Sequence, residues 1–586
     1  MPQTPREWHL LPQDQDGVQR LASAAQLPLV MAQLLWNRGI TAPESARRFL
    51  TSAMTELHPP RLLPGIEAAS RRIWSAIREL RKIVIYGDYD VDGTTGTAIL
   101  MVILEKLGAD VGYYVPHRLE EGYGLNEGAV RRLAAEGNRL LITVDCGITS
   151  VFEAEVARSL GLELIITDHH EMKAELPAAD VLVHPRLPGS QYPFGELSGA
   201  GVAFKLAWAV AQRASDSERV LPELRELLLD LLGLTALGLV ADVVPLRDEN
   251  RIIVKHGLQR LVARPSLGVR ALLTAAGFTE DKPVRAEDVS FRLAPRLNAA
   301  GRLGYAGLVV ELLTTKKVKR AEEIATYLES QNAERQSIER KIVREAKELV
   351  EAGGYDSAPA IVLGSIDWHA GVVGIVAGRL AEFYARPTLI AALKDGDAPS
   401  AGSGRSIGGF ALHEALMACD DLLLGHGGHA AAAGFRLQAV RLDELRIRFC
   451  AHVSKVFPDG LPLPRLRLDA EVPLAAITYG LMKDIDRLEP YGAENPRPKL
   501  LASGLKLEGM PKKMGVGERH LQFRVRQGQT VLRAVAFGSG DRLEELMSGN
   551  GDVSLAFTPK VNEWQGRSSV ELDVFDFRPT ATAPLV

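Results

Sequence analysis

Four short apolar runs, each ending in acidic or imidazole-bearing residues, set the pattern of the first half of the chain. Lys82-Ile83-Val84-Ile85-Tyr86-Gly87 leads into Asp88-Tyr89-Asp90-Val91-Asp92-Gly93, and Arg139–Val144 ends in Asp145-Cys146-Gly147. Leu162–Thr167 ends in Asp168-His169-His170-Glu171, and Val181-Leu182-Val183 ends in His184-Pro185-Arg186. Helix-length segments, Thr95–Leu107, Glu127–Glu136 and Ser150–Leu160, separate the earlier runs. Near-continuous apolar strands alternating with helices predict a parallel α/β sheet covered on both faces. The carboxyl ends of such a sheet share one edge, where open α/β sheets build their sites. Asp88, Asp90, Asp92, Asp145, Asp168 and His169 can therefore converge.

Further along, the pattern changes twice. Between Gly307 and Gly353 there is neither Gly nor Pro, and Ile324, Leu328, Ile338, Ile342 and Leu349 recur at helical spacing. That predicts a long helix bridging two domains. A second α/β unit begins at Ala358-Pro-Ala-Ile-Val-Leu363 and ends near Ser454. Beyond Pro458, Pro462 and Pro464, Leu521, Phe523 and Val525 alternate with Gln522, Arg524 and Arg526, and Val570, Leu572, Val574 and Phe575 follow. Short strands with Gly-rich turns predict a small barrel, with Phe523 in phase with its core. The expected organisation is a helical region over 1–75, the acid-bearing domain over 76–264 and a helical connector over 265–352. The second α/β domain covers 353–456 and the barrel 457–586.

Three carboxylates within five residues at Asp88, Asp90 and Asp92 repel one another unless a cation neutralises them. Hard divalent ions take such oxygen ligands. An EF-hand loop is a poor fit, because Ile99 stands where the bidentate Glu is needed. A haloacid-dehalogenase-type phosphatase would put its first Asp directly at the strand end, whereas Gly87-Asp88-Tyr89 intervenes here. A further carboxylate, Asp242, follows the uncharged run Leu231–Ala241. An unpaired anion is expensive among apolar residues, which leaves a turn before Pro245 or a metal ligand as its role. The neighbouring acids favour the metal.

Composition narrows the class. The 586 residues carry a net charge of −4 and 24% charged residues, which fits a soluble multidomain protein and rules out reading nucleic-acid binding from bulk charge. A local bias remains: nine Lys/Arg against two Glu lie between Arg497 and Arg533. Cys146, Cys419 and Cys450 show no Cys-x-x-Cys spacing and are expected as reduced thiols in a cytoplasmic protein. The first residues show no signal-peptide pattern, and the Leu231 run is too short to span a bilayer, so no membrane association is expected.

Asp88-Tyr-Asp90-x-Asp92-Gly, Val144-Asp145-Cys-Gly, Thr167-Asp168-His169-His170 and Ala241-Asp242-Val-Val-Pro resemble the four motifs of the DHH phosphoesterase superfamily. Within it the chain is similar to the RecJ-type exonucleases. Gly402-Ser403-Gly404-Arg405-Ser406 and Gly427–Gly434 resemble the associated DHHA1 domain, and the resemblance implies an OB fold for the last domain. Smaller members carry a His where this chain has Tyr86. The resemblance implies two ions, Mn²⁺ or Mg²⁺, held by Asp90, Asp92, Asp145, His169 and Asp242, with Asp145 as the bridge. Asp88 is cast as a ligand or a support to one. His170 is cast as reaching the scissile phosphate and Asp168 as orienting an imidazole.

Arg405 with Ser403 and Gly404, in a turn rich in small residues, suits phosphate. His429, Arg118, Arg296 and Arg302 are further candidates for the DNA backbone, and Trp564 for stacking on bases. The Ala-rich run after His429 reads as tight helix packing.

The resulting expectation is a metal-dependent 5′→3′ exonuclease releasing mononucleotides from single-stranded DNA in repair and recombination. Its polarity comes from the resemblance alone. A monomer working with a single-strand-binding protein and a helicase is the expected setting. Two alternatives are a DHH phosphodiesterase of short oligonucleotides or cyclic dinucleotides, and a non-catalytic strand-binding scaffold. The catalytic acids lie no later than Asp242, so truncation after Pro464 is expected to raise KM for long strands far more than for very short ones, with kcat on short strands falling much less.

Overall fold

Five parallel strands form the sheet that carries the acids, in the order Val111–Tyr114, Ile83–Gly87, Leu140–Val144, Glu163–Thr167, Val181–Val183. The computed structural model describes residues 5–118, 120–279, 282–302, 305–548, 551–564 and 567–579. Val111–Tyr114 is the one strand of this sheet that the pattern missed. It sits at the sheet edge and is only half-buried, so its sequence lacks a continuous apolar run. Ile83–Gly87 and Leu140–Val144 are buried at every position, as their composition demands. The chain leaves Ile83–Gly87 toward one edge and returns to build the other side from Leu140. The strand order therefore reverses between these two strands, and a crevice opens there outside their carboxyl ends.

The first helix begins earlier than expected, at Val91 rather than Thr95, and runs to Lys106. Asp90 caps it, its Oδ1 accepting from the backbone N–H of Asp92 (2.9 Å) and Gly93 (3.1 Å). The run of threonines obscured this start, because β-branched residues read as poor helix formers. Here the hydroxyls of Thr94, Thr95 and Thr97 donate to carbonyls four residues back. The uncharged run lies in the buried helix Pro222–Ala241, which Asp242 terminates.

Two compact units emerge from the contacts: Arg47–Glu334 with Leu488–Pro496, and Met1–Ala46 with Arg335–Arg487 and Arg497–Val586. The predicted long helix is Val318–Ala352. Ile324, Leu328 and Ile342 are buried, but Leu349 is 42% exposed and Val350 is buried instead, so the stripe slips by one position at its end.

Within the second unit, a five-stranded sheet runs Gly425–Gly428, Ala432–Leu437, Ser400–Arg405, Thr388–Ala392, Ile361–Ser365. Two sequence readings change here. The Gly402–Ser406 segment is mostly strand rather than turn, and the Ala-rich run after His429 is the second arm of a β-hairpin rather than helix packing. Ala433, Phe435 and Leu437 face inward at period two, so strand pairing overrides the helix propensity of alanine. The barrel is built from a seven-stranded sheet in which Leu500–Leu507 also pairs with His520–Gln527, closing it. Phe523 is in its core. The N-terminal region is not purely helical: Glu7–Leu10 pairs in parallel with Arg465–Leu468. Cys146 and Cys419 are buried free thiols and Cys450 is half-buried. Among the described residues no helix is long and apolar enough to cross a membrane.

Candidate metal centre

The crevice at the strand reversal collects the acids from four separate segments. Asp88 and Asp90 leave the end of Ile83–Gly87, and Asp145 the end of Leu140–Val144. His169 and His170 follow Glu163–Thr167, and Asp242 ends the buried helix. His169 Nε2 lies 3.1 Å from Asp145 Oδ1, 3.5 Å from Asp242 Oδ2 and 3.9 Å from Asp92 Oδ2. Among the described residues three triads have ligand atoms within 4.8 Å of one another: Asp88, Asp90 and Asp145; Asp92, His169 and Asp242; Asp145, His169 and His170. Asp145 and His169 each belong to two of them. Asp145 adopts a left-handed φ of 65°, which an Asp tolerates better than most side chains. A Cβ at Gly199 would stand 2.5 Å from that of Asp145, so only glycine lets the helix Gly199–Ala214 start against it. That helix N-terminus holds Asp92: Ser198 Oγ and the N–H groups of Gly199 and Ala200 donate to its carboxylate at 2.7, 2.6 and 3.1 Å.

Burial, then the charge of Asp90, pushes Asp92 up to about 7 despite those donors. Burial and the charge of Asp92 raise Asp242 to about 9. Asp145 and Asp88 also rise well above the usual carboxylate range, from burial and from neighbouring acids. His169 falls to about 3 through burial and the proximity of His170, so it stands as a neutral imidazole. Asp88 Oδ1, Asp145 Oδ1 and His169 Nε2 are buried without a hydrogen-bond partner. Native proteins pair such atoms, and a cation is the partner common to all three. The mixed oxygen and imidazole donors fit divalent Mn²⁺ or Mg²⁺.

Asp168 behaves differently. Burial would raise it, but His170 at 2.8 Å and the N–H groups of Ile148 and His169 outweigh that and hold it at about 2. It stays ionised and orients His170, not His169. Several contributors have no sequence signature of their own. Tyr123 donates its hydroxyl to the carbonyl of Asp145 (3.1 Å) and lies 3.0 Å from His170 Nδ1. His184, fully buried, accepts the Arg186 N–H at Nδ1 (3.0 Å), so its Nε2–H donates to the carbonyl of His170 (2.8 Å). Arg186 donates to the carbonyl of His169 (2.7 Å). The strand-end pattern at His184-Pro-Arg186 was the only available hint of these two.

Among the cationic candidates, Arg118 stands over the Tyr89 ring with its guanidinium carbon 4.8 Å from the centroid. Arg302 follows Gly301 at the end of the helix Ala294–Arg302. Arg296 is tied to Glu329 and to the carbonyl of Arg292, which gives it a structural occupation. In the second unit, Arg405 pairs with no carboxylate among the described residues; it donates to Ser403 Oγ (3.2 Å) and its neighbour's carbonyl (2.8 Å). Gly374, at the start of the helix Val373–Tyr384, would bring a Cβ to 3.0 Å from Ser403 Oγ. Ser403, Gly404 and Arg405 thus lie beside a helix N-terminus, a setting suited to an anion. His429 is exposed in the hairpin turn. The Trp564 side chain lies outside the described residues.

The chain matches the family models "DHH family, N-terminal domain" over 82–238, "DHHA1 domain" over 357–455 and "RecJ OB domain" over 468–576. The single-stranded-DNA-specific exonuclease RecJ of Bacillus subtilis (strain 168) is 39% identical over 569 residues, 97% of this chain and 70% of that protein. The chain belongs to the RecJ family. Two crystal structures of RecJ from Thermus thermophilus extend the likeness to the fold. The complex with Mn²⁺ matches at a TM-score of 0.82 and 32% identity, covering 98% of this chain and 79% of that one. The complex with Mg²⁺ matches at 0.77 and 31%, covering 98% and 78%. The order DHH, DHHA1, OB expected from the motifs is the RecJ order. In this RecJ-family chain the DHH match ends at 238, just short of Asp242, which the geometry brings back to the other acids.

Proposed function

We propose that the protein is a metal-dependent exonuclease that hydrolyses single-stranded DNA 5′→3′ to mononucleotides, in DNA repair and recombination. The observation that carries the reading is the set of three orphaned ligand atoms on Asp88, Asp145 and His169, buried at the strand reversal of a RecJ-family sheet. Asp88, Asp90, Asp92, Asp145, His169 and Asp242 hold two divalent ions in this reading, Asp145 being shared by two ligand groups. Such ions, when bound, activate a water and neutralise charge on the phosphoryl oxygens. Asp168 keeps His170 positioned and favours its protonated form, so that His170 donates a hydrogen bond to a phosphate oxygen. Arg118 and Arg302 meet the backbone near the acids, and Arg405 with Ser403 meets a phosphate in the DHHA1 domain. The barrel's exposed Lys512, Lys513 and Arg519 track the strand.

The barrel also weighs against a substrate of only two or three nucleotides, which needs no binding track. The proposed setting is a cytoplasmic monomer working with a helicase and a single-strand-binding protein.

End-labelled single- and double-stranded DNA and RNA, incubated with Mn²⁺, Mg²⁺ or EDTA, test the reading. Single-stranded DNA should be degraded from its 5′ end only with metal. Asp145→Ala should abolish turnover and lower the Mn²⁺ stoichiometry by calorimetry, with strand binding retained. Wild-type turnover in that variant, or metal-independent cleavage, would reject the reading.

A further inference from the structure

The geometry points to Tyr89 as a positioning residue that holds the Arg118 guanidinium beside the acid loop through its ring face, leaving the guanidinium N–H groups for a substrate phosphate. This rests on the proposed reading of Arg118 as a phosphate contact. Tyr89 sits between Asp88 and Asp90, half-buried, and its place is fixed from the backbone side. A Cβ at Gly301 would meet the Tyr89 carbonyl at 2.6 Å, so the helix Ala294–Arg302 presses directly on this residue. From the other side Arg118 covers the ring at 4.8 Å.

Among the described residues neither acid of the loop that carries Arg118 pairs with it, and Glu120 faces His117 instead (3.9 Å). Glu121, an acid of the same loop, is occupied by the Tyr114 hydroxyl (2.6 Å) and the His117 N–H (2.7 Å). Among the described residues none forms a hydrogen bond or ion pair with the Arg118 guanidinium. A salt bridge would fix an arginine equally well, but it would spend the donors that a phosphate needs. An aromatic face attracts the cation without using an N–H, and so fixes the group while leaving it competent. The Tyr89 ring gives the guanidinium a surface that is not one of the neighbouring carboxylates.

The test is a double-mutant cycle on the full chain with Mn²⁺ and a 5′-phosphorylated single strand, comparing Y89F, Y89L, R118A and Y89L/R118A. Y89F keeps the ring and should retain KM within about twofold. Y89L should raise KM by about tenfold with kcat far less changed, the size a lost cation–π contact supports. R118A should raise KM at least as much, and Y89L/R118A should be no worse than R118A. Mn²⁺ isotherms should match wild type in all four. Wild-type KM in Y89L, or full additivity with R118A, would overturn the role of Tyr89 alone. Loss of Mn²⁺ binding in Y89L would overturn it too, by showing that the ring supports the acid loop itself. Wild-type KM in R118A would overturn the reading of Arg118, and with it this one.

Discussion

Each site residue is defined by what surrounds its polar atoms. Asp168 and Asp145 are both almost completely buried carboxylates, yet one is held at about 2 and the other is pushed far up. The difference is supply of donors: Asp168 receives three N–H groups and an imidazole, Asp145 faces other acids. A cation reverses the second case, so metal removal should have a pH-dependent cost. In the metal-free protein, raised carboxyl groups contribute stability that is present below the ordinary Asp value of ~4 and lost as pH rises through about 7 for Asp92 and about 9 for Asp242. The increase in Tm on adding Mn²⁺ to EDTA-treated protein should therefore be larger at pH 8 than at pH 5, measured by differential scanning fluorimetry. Equal increments would mean the acids do not carry the metal. Arg405 offers a second residue-scale prediction. Losing a charge-assisted contact worth about 1.5–3 kcal/mol should raise KM of R405A on 5′-phosphorylated strands by roughly tenfold to a hundredfold, with a smaller change on 5′-hydroxyl strands. Equal kinetics on both would reject the phosphate pocket.

At the level of elements, the segment Leu488–Pro496 alters what a truncation means. It departs from the C-terminal part of the chain and packs with the catalytic unit. Arg251, 1% exposed, donates to the carbonyls of Leu488 (2.9 Å) and Glu489 (2.7 Å) as well as Phe49 (2.9 Å). The Leu246 N–H donates to the Ala493 carbonyl (2.9 Å), four residues after Asp242. The excursion thus braces the stretch that carries Asp242. Cutting the chain after Pro464 should lower kcat on very short strands as strongly as on long ones, where motif positions alone lead one to expect a much smaller fall. Arg251→Met, which removes these charge-assisted hydrogen bonds, should cost about 1.5–3 kcal/mol of stability and weaken Mn²⁺ binding by calorimetry. Unchanged Tm and metal affinity would show the brace to be passive.

For the whole molecule, truncation is then a poor probe of the barrel, and charge removal a better one. Lys512, Lys513 and Arg519 are exposed, and none has a carboxylate partner among the described residues. Arg526 and Arg533, by contrast, are paired with Glu508 and Glu571. Replacing all three exposed cations by Ala should raise KM for long strands while sparing very short ones. Each lost phosphate contact should flatten the dependence of log affinity on log salt by roughly 0.7. An unchanged slope would assign the barrel to packing or to another partner.

The parallel sheet, the long helix, the barrel and all the acids at the strand ends were legible in the sequence. Buried strands need continuous apolar runs, and carboxylates at their ends have no reason to recur three times by chance. What sequence could not reach depends on groups without a pattern. The donors to Asp92 belong to a helix N-terminus about a hundred residues away, and Tyr123 and Arg186 act through backbone carbonyls of the motif residues. Strand Ser400–Arg405 and the alanine hairpin read as turn and helix because small residues carry little local preference, and only pairing across the sheet decides their form. The local chemistry of each ligand was therefore written in the chain, while the order of strands, the reversal that makes the crevice and the brace behind Asp242 came from long-range packing that no short window contains.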